Sequence, residues 1–170
     1  AWMAPWLISL QHLGLFFFIW KGDGVESFSY VLAKNDEISL VMPDWHYGTS
    51  DLFEIINKEN EVVGNIIFNH SYDDVTGNVE YNVFEEYRGN NYATKALKLL
   101  AQNVFKISEM DLFISILPNN KASIKTAINC GAVFHKMVEI PKKYIFSLDG
   151  KYKYANMYII KNNKGEKRKW

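Results

Sequence analysis

The residue types best suited to chemistry lie together in one stretch, Glu85-Glu86-Tyr87-Arg88-Gly89-Asn90-Asn91-Tyr92-Ala93-Thr94, called the cradle below. It falls between a predicted strand and a predicted helix, so several backbone N–H groups point to one place. The helix dipole adds roughly half a positive charge there. Gly89 permits a positive φ and a close approach of a ligand, Ala93 keeps the first turn uncrowded, and the Thr94 hydroxyl can add a donor. The stretch is a candidate pyrophosphate site, although Gly-Asn-Asn is also an ordinary turn.

Other common cofactor patterns are absent from the sequence. It has no Gly-Lys-Ser/Thr of a P-loop and no complete G-x-G-x-x-G after a first strand. Four histidines and a single cysteine are scattered along the chain, which is not the spacing of a zinc site. We therefore expect no metal.

Several side chains are candidates for proton transfer. Glu80 lies on the polar face of the strand that leads to the cradle, where a carboxylate can take a proton from an incoming ammonium directly or through water. His70 follows an earlier strand and is a second candidate base. Tyr144, Tyr152 and Tyr154 lie in or beside the last long connection and are candidate acids. The alternative for each is a solvated or structural role.

Two further groups of residues have plain structural interpretations. Cys130 precedes a helix-ending glycine and is expected to fill a small apolar space, because a thiolate nucleophile needs a base and none can be placed beside it. Trp45, His46 and Tyr47 follow Pro43 in a loop. They either line an acceptor pocket or pack on the sheet.

The elements that position these residues follow from hydrophobic periodicity. From Asn78 to Phe84 apolar and polar residues alternate, which predicts a strand with one buried face. From Ala93 to Val104 the apolar residues recur at helical spacing. Leu112 to Leu117 is a nearly continuous apolar run, as expected for a parallel strand buried on both faces. Together they form a βαβ unit.

The remaining segments predict an α/β (α+β) domain with a mixed, mainly antiparallel sheet. Further strands are expected at Phe28 to Ala33, Glu37 to Met42, Leu52 to Ile56, Glu61 to Phe68, Ala132 to Ile140 and Tyr154 to Ile160. The first four form two hairpins. Asn119 or Asn120 can cap a second helix, whose inward residues are Ile124, Ala127 and Ile128.

Two motifs resemble those of the GNAT superfamily of acyl-CoA-dependent N-acyltransferases. Arg88-Gly89-Asn90-Asn91-Tyr92-Ala93 is similar to the pattern Q/R-x-x-G-x-G/A. Asn120-Lys121-Ala122-Ser123, followed by Cys130-Gly131-Ala132-Val133-Phe134, resembles the second motif, N-x-x-S ending in leucine-Gly-Phe. The motifs stand in the expected order, and the resemblance covers about Phe28 to Lys161.

This resemblance implies a fold, a ligand and a reaction. The strand ending near Val83 would splay from the parallel strand at Leu112, and the pantetheine arm of acetyl-CoA would lie in the V-shaped gap. A main-chain N–H near Val83 or Phe84 would polarise the thioester carbonyl, and the acetyl group would pass directly to an amine. The implied contacts to acetyl-CoA are Val83, Phe84, Arg88, Gly89, Asn90, Asn91, Tyr92, Ala93, Thr94, Asn120, Ser123 and Lys125.

The sequence departs from the family pattern in three places. Asn91 stands where glycine is usual, which is expected to loosen the cradle. The tyrosine that often acts as general acid falls at Ala127, so that role is vacant or filled elsewhere, with Tyr144 as one candidate. The segment before the Leu52 strand is very short, and the two helices that help build the acceptor site are expected to be missing.

The amino-acid composition narrows the range of expected partners and cellular locations. With 170 residues, 48% of them apolar and 22% charged, the chain suits one globular domain. Its formal net charge of zero argues against general nucleic-acid binding. The single cysteine allows no intramolecular disulfide, and a cytoplasmic location is expected. A membrane partner is not expected, and a homodimer stays open.

Residues 1–22 form an almost wholly apolar N-terminal extension. Its length approaches the roughly 20 residues of a membrane span, but it lacks a basic region and a small-residue cleavage site. A translated upstream stretch, a fragment boundary, a membrane anchor and an extra packed element all stay open. The acyltransferase domain is placed at residues 27–161 and a basic tail at residues 162–170.

The leading hypothesis is therefore an N-acetyltransferase that moves acetyl from acetyl-CoA to a primary amine on a small molecule, a peptide or a protein. A non-catalytic acyl-CoA-binding sensor is the alternative, favoured by Ala127 and by the short acceptor region. A membrane-anchored variant is the third.

Overall fold

The computed structural model describes residues 16–20, 26–43, 50–70, 75–141 and 152–163. Predictions for Trp45, His46, Tyr47 and Tyr144 lie outside these residues, as do those for residues 1–15 and for most of the basic tail.

Six strands form an antiparallel sheet in which each strand pairs with the next along the chain. They are β1 Phe16–Trp20, β2 Glu26–Lys34, β3 Ile38–Met42, β4 Asp51–Asn57, β5 Val62–Phe68 and β6 Val79–Val83. The sequence did not predict β1, which pairs with β2 along its whole length. These five residues of the apolar N-terminal stretch are therefore part of the sheet.

The two predicted hairpins, β2–β3 and β4–β5, are confirmed, and asparagine closes each turn. The Asn35 Oδ1 accepts hydrogen bonds from the backbone N–H groups of Glu37 and Ile38, both at 2.9 Å. In the second turn, the Asn57 Oδ1 accepts from the Glu61 N–H at 2.8 Å, and Asn60 adopts a positive φ of 62°. Asparagine suits both positions because its short side chain bonds nearby backbone and tolerates left-handed φ.

Two helices pack against the sheet. Helix α1, Tyr92–Ile107, buries one stripe of six residues: Ala96, Leu97, Leu99, Leu100, Ala101 and Val104. Helix α2, Lys121–Asn129, is capped by Asn120, whose Oδ1 accepts a hydrogen bond from the Ser123 N–H at 3.1 Å. The prediction that Ile128 points inward is wrong, since its side chain is 55% exposed. Ala127 is buried, and one residue further along the helix turns about 100° away from it.

A second, three-stranded sheet contains β7 Leu112–Ile116, β8 Val133–Glu139 and β9 Tyr154–Ile160, in the order β7-β9-β8 with both pairs antiparallel. The expectation that β7 is buried on both faces is wrong. Leu112, Ile114 and Ile116 are buried, whereas Phe113 and Ser115 are only half-buried. One face of β7 joins the main core, and the other faces a smaller apolar cluster.

Strands β6 and β7 lie side by side without forming a ladder, so they belong to different sheets. Both begin at the same place, since the backbone N–H of Asn78 donates to the Phe113 carbonyl at 2.9 Å. Further along β6, the Tyr81 hydroxyl donates to the carbonyl of Ser123, in the element that follows β7. The strands therefore run in the same direction and diverge, which confirms the predicted splay.

The bridge that joins the two sheets pairs Gly77 with Ile114 and is antiparallel in its local sense. Gly77 precedes β6 and has a φ of 75°, so the chain turns there before it enters the strand. The space that opens beyond this bridge is called the gap below.

Candidate functional site

The cradle has the backbone conformation that its glycine and asparagines allow. Gly89 has a φ of 88°, and a Cβ added to it would meet no atom within 4 Å, so the space beside it is open. Asn91, the residue immediately before α1, has a φ of 60° at the position where the family pattern has glycine. Asparagine is among the residues that adopt this conformation most readily. The replacement at Asn91 therefore keeps the left-handed turn.

Six consecutive backbone N–H groups of the cradle have no acceptor among the described residues. The Arg88 N–H donates to the Glu85 carbonyl at 3.2 Å, and the first bond of α1 runs from the Lys95 N–H to the Asn91 carbonyl at 3.0 Å. Between them, the N–H groups of residues 89–94 donate to no atom in the part of the chain that the structure describes. Together with the helix dipole they form a site for an anion such as a pyrophosphate.

Two cradle side chains bond back to the loop that carries them. The Arg88 Nε donates to the Val83 carbonyl at 3.2 Å, and the Asn90 Nδ2 donates to the Tyr87 carbonyl at 3.1 Å. These bonds tie the cradle to the end of β6 across the 3₁₀ turn Glu85–Tyr87. At these two positions the side chain therefore holds the loop.

At the end of β6, the structure distinguishes the two N–H groups that were candidates for polarising a carbonyl. The Phe84 N–H donates to the Val63 carbonyl of β5 at 3.0 Å and is occupied. Backbone groups alternate in direction along a strand, so the Val83 N–H points the other way, into the gap. It has no acceptor among the described residues, and it is the available donor.

The start of α2 lies on the other side of the gap. The Asn120 Oδ1 is used to cap the helix, which leaves its Nδ2 and the Ser123 hydroxyl to meet a ligand. Lys125 is exposed one turn further along. The two helices touch where the Cys130 Sγ lies 3.5 Å from the Thr94 carbonyl oxygen. The structure thus brings the two sequence motifs together.

An open cleft of about 350 Å³ lies on the face of β6 that carries Glu80. Its lining residues are Val75, Thr76, Glu80, Ser115, Leu117, Ile140, Pro141 and Ala155. Glu80 and Ser115 come from the two strands that flank the gap, so the cleft reaches the gap from the side opposite α1. The Glu80 side chain is exposed, in keeping with the polar face predicted for it.

Neither Tyr152 nor Tyr154, the described tyrosines proposed as acids, lines this cleft. Tyr152 packs against the cluster that contains two of the lining residues, Ile140 and Ala155, and its hydroxyl is hydrogen bonded to the Asn119 Nδ2. Tyr154 is partly exposed beside Lys153 and does not line the cleft. Tyr152 is the better-placed donor of the two.

His70 and Cys130 both have structural explanations. The His70 Nε2 lies 2.7 Å from the Asp51 Oδ2, and the imidazole is exposed and does not line the cleft. Burial raises the pKa of the Cys130 thiol to about 12, more than nearby Lys98 lowers it. A thiol in this state is protonated at neutral pH and is not a nucleophile.

Sequence reasoning missed Asn78 and Ser115. Asn78 is fully buried and bonded to β7, and Ser115 faces Glu80 across the cleft. A polar residue beside a glycine at the start of a strand is a weak local signal for Asn78. Its partner lies 35 residues away, which the local sequence does not show.

The described residues contain no group of three or more His, Cys, Asp or Glu side chains that could hold a metal ion. In the same part of the chain, no helix is long and apolar enough to cross a membrane.

The chain is similar to known proteins in sequence and in fold. Residues 16–133 match a family model described as an acetyltransferase (GNAT) domain. A search of curated proteins finds no match.

Several solved structures share the fold. The microcin C7 self-immunity acetyltransferase, solved with acetyl-CoA and AMP, is 17% identical with a TM-score of 0.59, over 74% of this chain and 93% of that one. The ribosomal-protein-S5-alanine acetyltransferase of Vibrio fischeri is 19% identical with a TM-score of 0.57, over 70% of this chain. This chain covers 65% of the Vibrio fischeri enzyme, less than two thirds of its length. A mutant spermidine N-acetyltransferase from Vibrio cholerae is 15% identical with a TM-score of 0.57, over 70% and 68% of the two chains.

Proposed function

Since this chain belongs to the GNAT acetyltransferase family, we propose that it transfers the acetyl group of acetyl-CoA to a primary amine. The observation that carries this proposal is the run of six N–H groups at residues 89–94, which have no acceptor among the described residues. The run lies beside the gap between β6 and β7. The run suits a pyrophosphate, and the gap suits an extended arm with its own hydrogen-bonding groups.

In this proposal, different residues bind different parts of acetyl-CoA. The cradle backbone holds the pyrophosphate, and Lys125 adds a positive charge at its edge. The Asn120 Nδ2 and the Ser123 hydroxyl meet the pantetheine arm in the gap. The Val83 N–H donates to the thioester carbonyl, where negative charge develops as the amine attacks.

The amine enters through the cleft on the opposite face of β6. Glu80 takes a proton from the incoming ammonium, directly or through water, and frees its lone pair. The amine nitrogen bonds to the carbonyl carbon and loses a second proton to water, the carbon–sulfur bond breaks, and the leaving thiolate takes a proton. Tyr152 is a candidate donor of that last proton. Tyr144, which lies outside the described residues, is another candidate donor.

The acceptor is a small or peptidic amine, because the cleft is small and open to solvent. Its polar wall at Glu80 and Ser115 suits an ammonium group, and Val75, Leu117 and Ile140 offer an apolar wall to the carbon chain that bears it. Both kinds of acceptor occur in the names of structures with this fold, a ribosomal protein alanine and spermidine.

The second candidate function is an acyl-CoA sensor without turnover. It is favoured by Ala127, which is fully buried at the position where the family often has its acid. A sensor would use the same cradle and gap but would release no CoA.

A turnover assay separates the two functions. Acetyl-CoA is incubated with the protein and a panel containing a polyamine, a peptide with a free α-amino group and a peptide with a single lysine, and free thiol is followed. An acetyltransferase releases CoA with at least one amine and forms the acetylated product by mass. Binding of acetyl-CoA by calorimetry without release across the panel supports the sensor, and no binding at all contradicts both.

A further inference from the structure

Asn78 is a buried polar residue whose hydrogen bonds all lie at the junction of the two sheets. Its side chain is fully buried. The Nδ2 donates to the Asp111 carbonyl at 2.9 Å, and the Oδ1 accepts from the Phe113 N–H at 2.7 Å. Its own N–H donates to the Phe113 carbonyl at 2.9 Å, and its carbonyl accepts from the Asn69 N–H at 2.8 Å. One residue thus joins β5, β6 and β7.

These bonds take the place of main-chain pairing between β6 and β7, beside the single antiparallel bridge of Gly77 with Ile114. In a continuous ladder, the Phe113 N–H would bond to a main-chain carbonyl of the neighbouring strand. Here the Asn78 side chain takes that N–H, and no ladder follows between β6 and β7. Gly77 brings the backbones together at this point, since a Cβ on it would lie 2.5 Å from the Phe113 carbonyl oxygen. Gly77 and Asn78 therefore form the closed end of the gap.

A small change in the angle of β6 at the closed end would displace the open end of the gap. Val83 lies five residues beyond Asn78, and a strand rises about 3.3 Å per residue, so roughly 17 Å separate them. A tilt of β6 by about 5° at Asn78 would move Val83 by roughly 1.5 Å. A displacement of about 1 Å at a reacting centre can lower a rate by on the order of 100-fold.

We propose that Asn78 is a positioning residue that sets the width of the gap and so places the Val83 N–H against the thioester. The proposal rests on the function proposed above, because the pantetheine arm is the part of acetyl-CoA that would sense this width. The cradle lies beyond the gap and is built from local turns, so it is independent of Asn78.

The test compares two ligands in wild type and variants by calorimetry. CoA occupies both the cradle and the gap, whereas 3′-phospho-ADP, which is CoA without its pantetheine arm, occupies only the cradle. Asn78→Ala removes both side-chain bonds. Asn78→Asp keeps the side-chain size and the acceptor for Phe113 but loses the donor to Asp111, so the comparison does not depend on the alanine variant being folded.

The matched control is Asn103→Ala, which removes a half-buried asparagine whose Nδ2 donates to the Leu99 carbonyl at 2.8 Å within α1, well away from the gap and from the start of the helix. Both Asn78 variants should lose at least tenfold in CoA affinity and keep 3′-phospho-ADP affinity within about twofold. Asn103→Ala should keep both affinities, whatever its stability. Equal losses for the two ligands, or an unchanged CoA affinity, would overturn the proposal. Failure of the wild type to bind CoA would instead count against the proposed function.

Discussion

At the scale of single residues, the proposed site binds its ligand mainly through main-chain donors, helped by a few side chains of α2, and uses other side chains for proton transfer. The donors at residues 89–94 and at Val83 exist because glycine and asparagine adopt positive φ and because a strand edge is left open. Glu80 stands apart from them, on the cleft face of β6. Substitutions at these two places should therefore separate binding from turnover.

Gly89→Val should weaken CoA binding at least tenfold, about 1.4 kcal/mol. A β-branched residue is strained at a φ of 88°, and its methyl groups would enter the open space beside the cradle. Gly131→Val is the matched control, because Gly131 also has a positive φ of 78° but follows α2, outside the cradle. Calorimetry should show the loss only for Gly89→Val. Equal CoA affinity in the two variants would place the binding site elsewhere.

Glu80→Gln should lower kcat at neutral pH by roughly 10²- to 10⁴-fold, the usual range for lost acid–base catalysis. CoA affinity should stay the same, because Glu80 is not among the groups proposed to bind CoA. The defect should shrink as pH rises, since the amine then arrives deprotonated and needs no base. Glu59→Gln, in the exposed β4–β5 turn, serves as the control. A Glu80→Gln rate within a few-fold of wild type at every pH would mean that water removes the proton unaided.

At the scale of elements, α1 and α2 converge on the gap from two sides. Helix α1 is held by an ion pair of 2.6 Å between Lys95, in its first turn, and Glu37 at the start of β3. Helix α2 is started by the Asn120 cap, and it meets α1 where Cys130 touches Thr94. The cap of α2 thus has a structural role that can be distinguished from ligand binding.

Asn120→Ala should lower the free energy of unfolding by about 1 kcal/mol through loss of the helix cap, whereas Asn120→Asp should stay within a few tenths of wild type. Aspartate keeps the Oδ acceptor for the Ser123 N–H and suits the positive end of the helix dipole. Urea denaturation measures both values. Because both variants lack the Nδ2 donor, both should lose CoA affinity. An Asn120→Asp variant with wild-type affinity would show that this donor does not meet the pantetheine arm.

At the scale of the whole molecule, one core lies between the six-stranded sheet and the two helices, and it also takes in one face of the second sheet. The Tyr81 hydroxyl and the Cys130 thiol are two of the titratable groups in or beside this core. Burial raises the pKa of the Tyr81 hydroxyl, more than its bond to Ser123 lowers it. Burial likewise raises the pKa of the Cys130 thiol from an ordinary value of 9.0 to about 12.

These shifts predict a loss of stability at alkaline pH. Both groups stay protonated in the folded chain at a pH where they ionise in the unfolded chain, so the unfolded state binds fewer protons. The contribution of Cys130 is complete below pH 9 and is lost as pH rises towards 12; that of Tyr81 begins to be lost above pH 10. The free energy of unfolding should fall by at most about 1.4 kcal/mol per pH unit for each group.

Denaturation curves between pH 8 and 11 test this prediction. Cys130→Ala and Tyr81→Phe should each flatten the alkaline slope, whereas Tyr154→Phe, at a partly exposed tyrosine, should leave it unchanged. An alkaline slope that is the same in all four proteins would contradict the assignment of the pH dependence to Cys130 and Tyr81.

Four further expectations from the sequence stay predictions. They are the cytoplasmic location, the homodimer, the absence of a nucleic-acid or membrane partner, and the domain boundaries.

What the sequence by itself determined is mainly local. The two hairpins, the starts of α1 and α2 and the run of β9 were predicted within a residue or two, because turn chemistry and hydrophobic period act over a few neighbours. The positive φ at Gly89 follows from the same local rules, as does the tolerance of Asn91 for that conformation. The order of two motifs on this frame was enough to predict the fold class and the family.

Only the tertiary structure decided which polar groups are hydrogen bonded within the chain and which are left available to a ligand. Phe84 and Val83 are neighbours of similar type, yet β5 takes the N–H of Phe84 and leaves that of Val83 facing the gap. Asn78 finds its partner 35 residues away, and Glu80 meets Ser115 only because β6 and β7 flank one cleft. The errors at β7 and at Ile128 have the same cause. Burial depends on which element covers a face, and that is set by contacts far apart in the chain rather than by the local pattern.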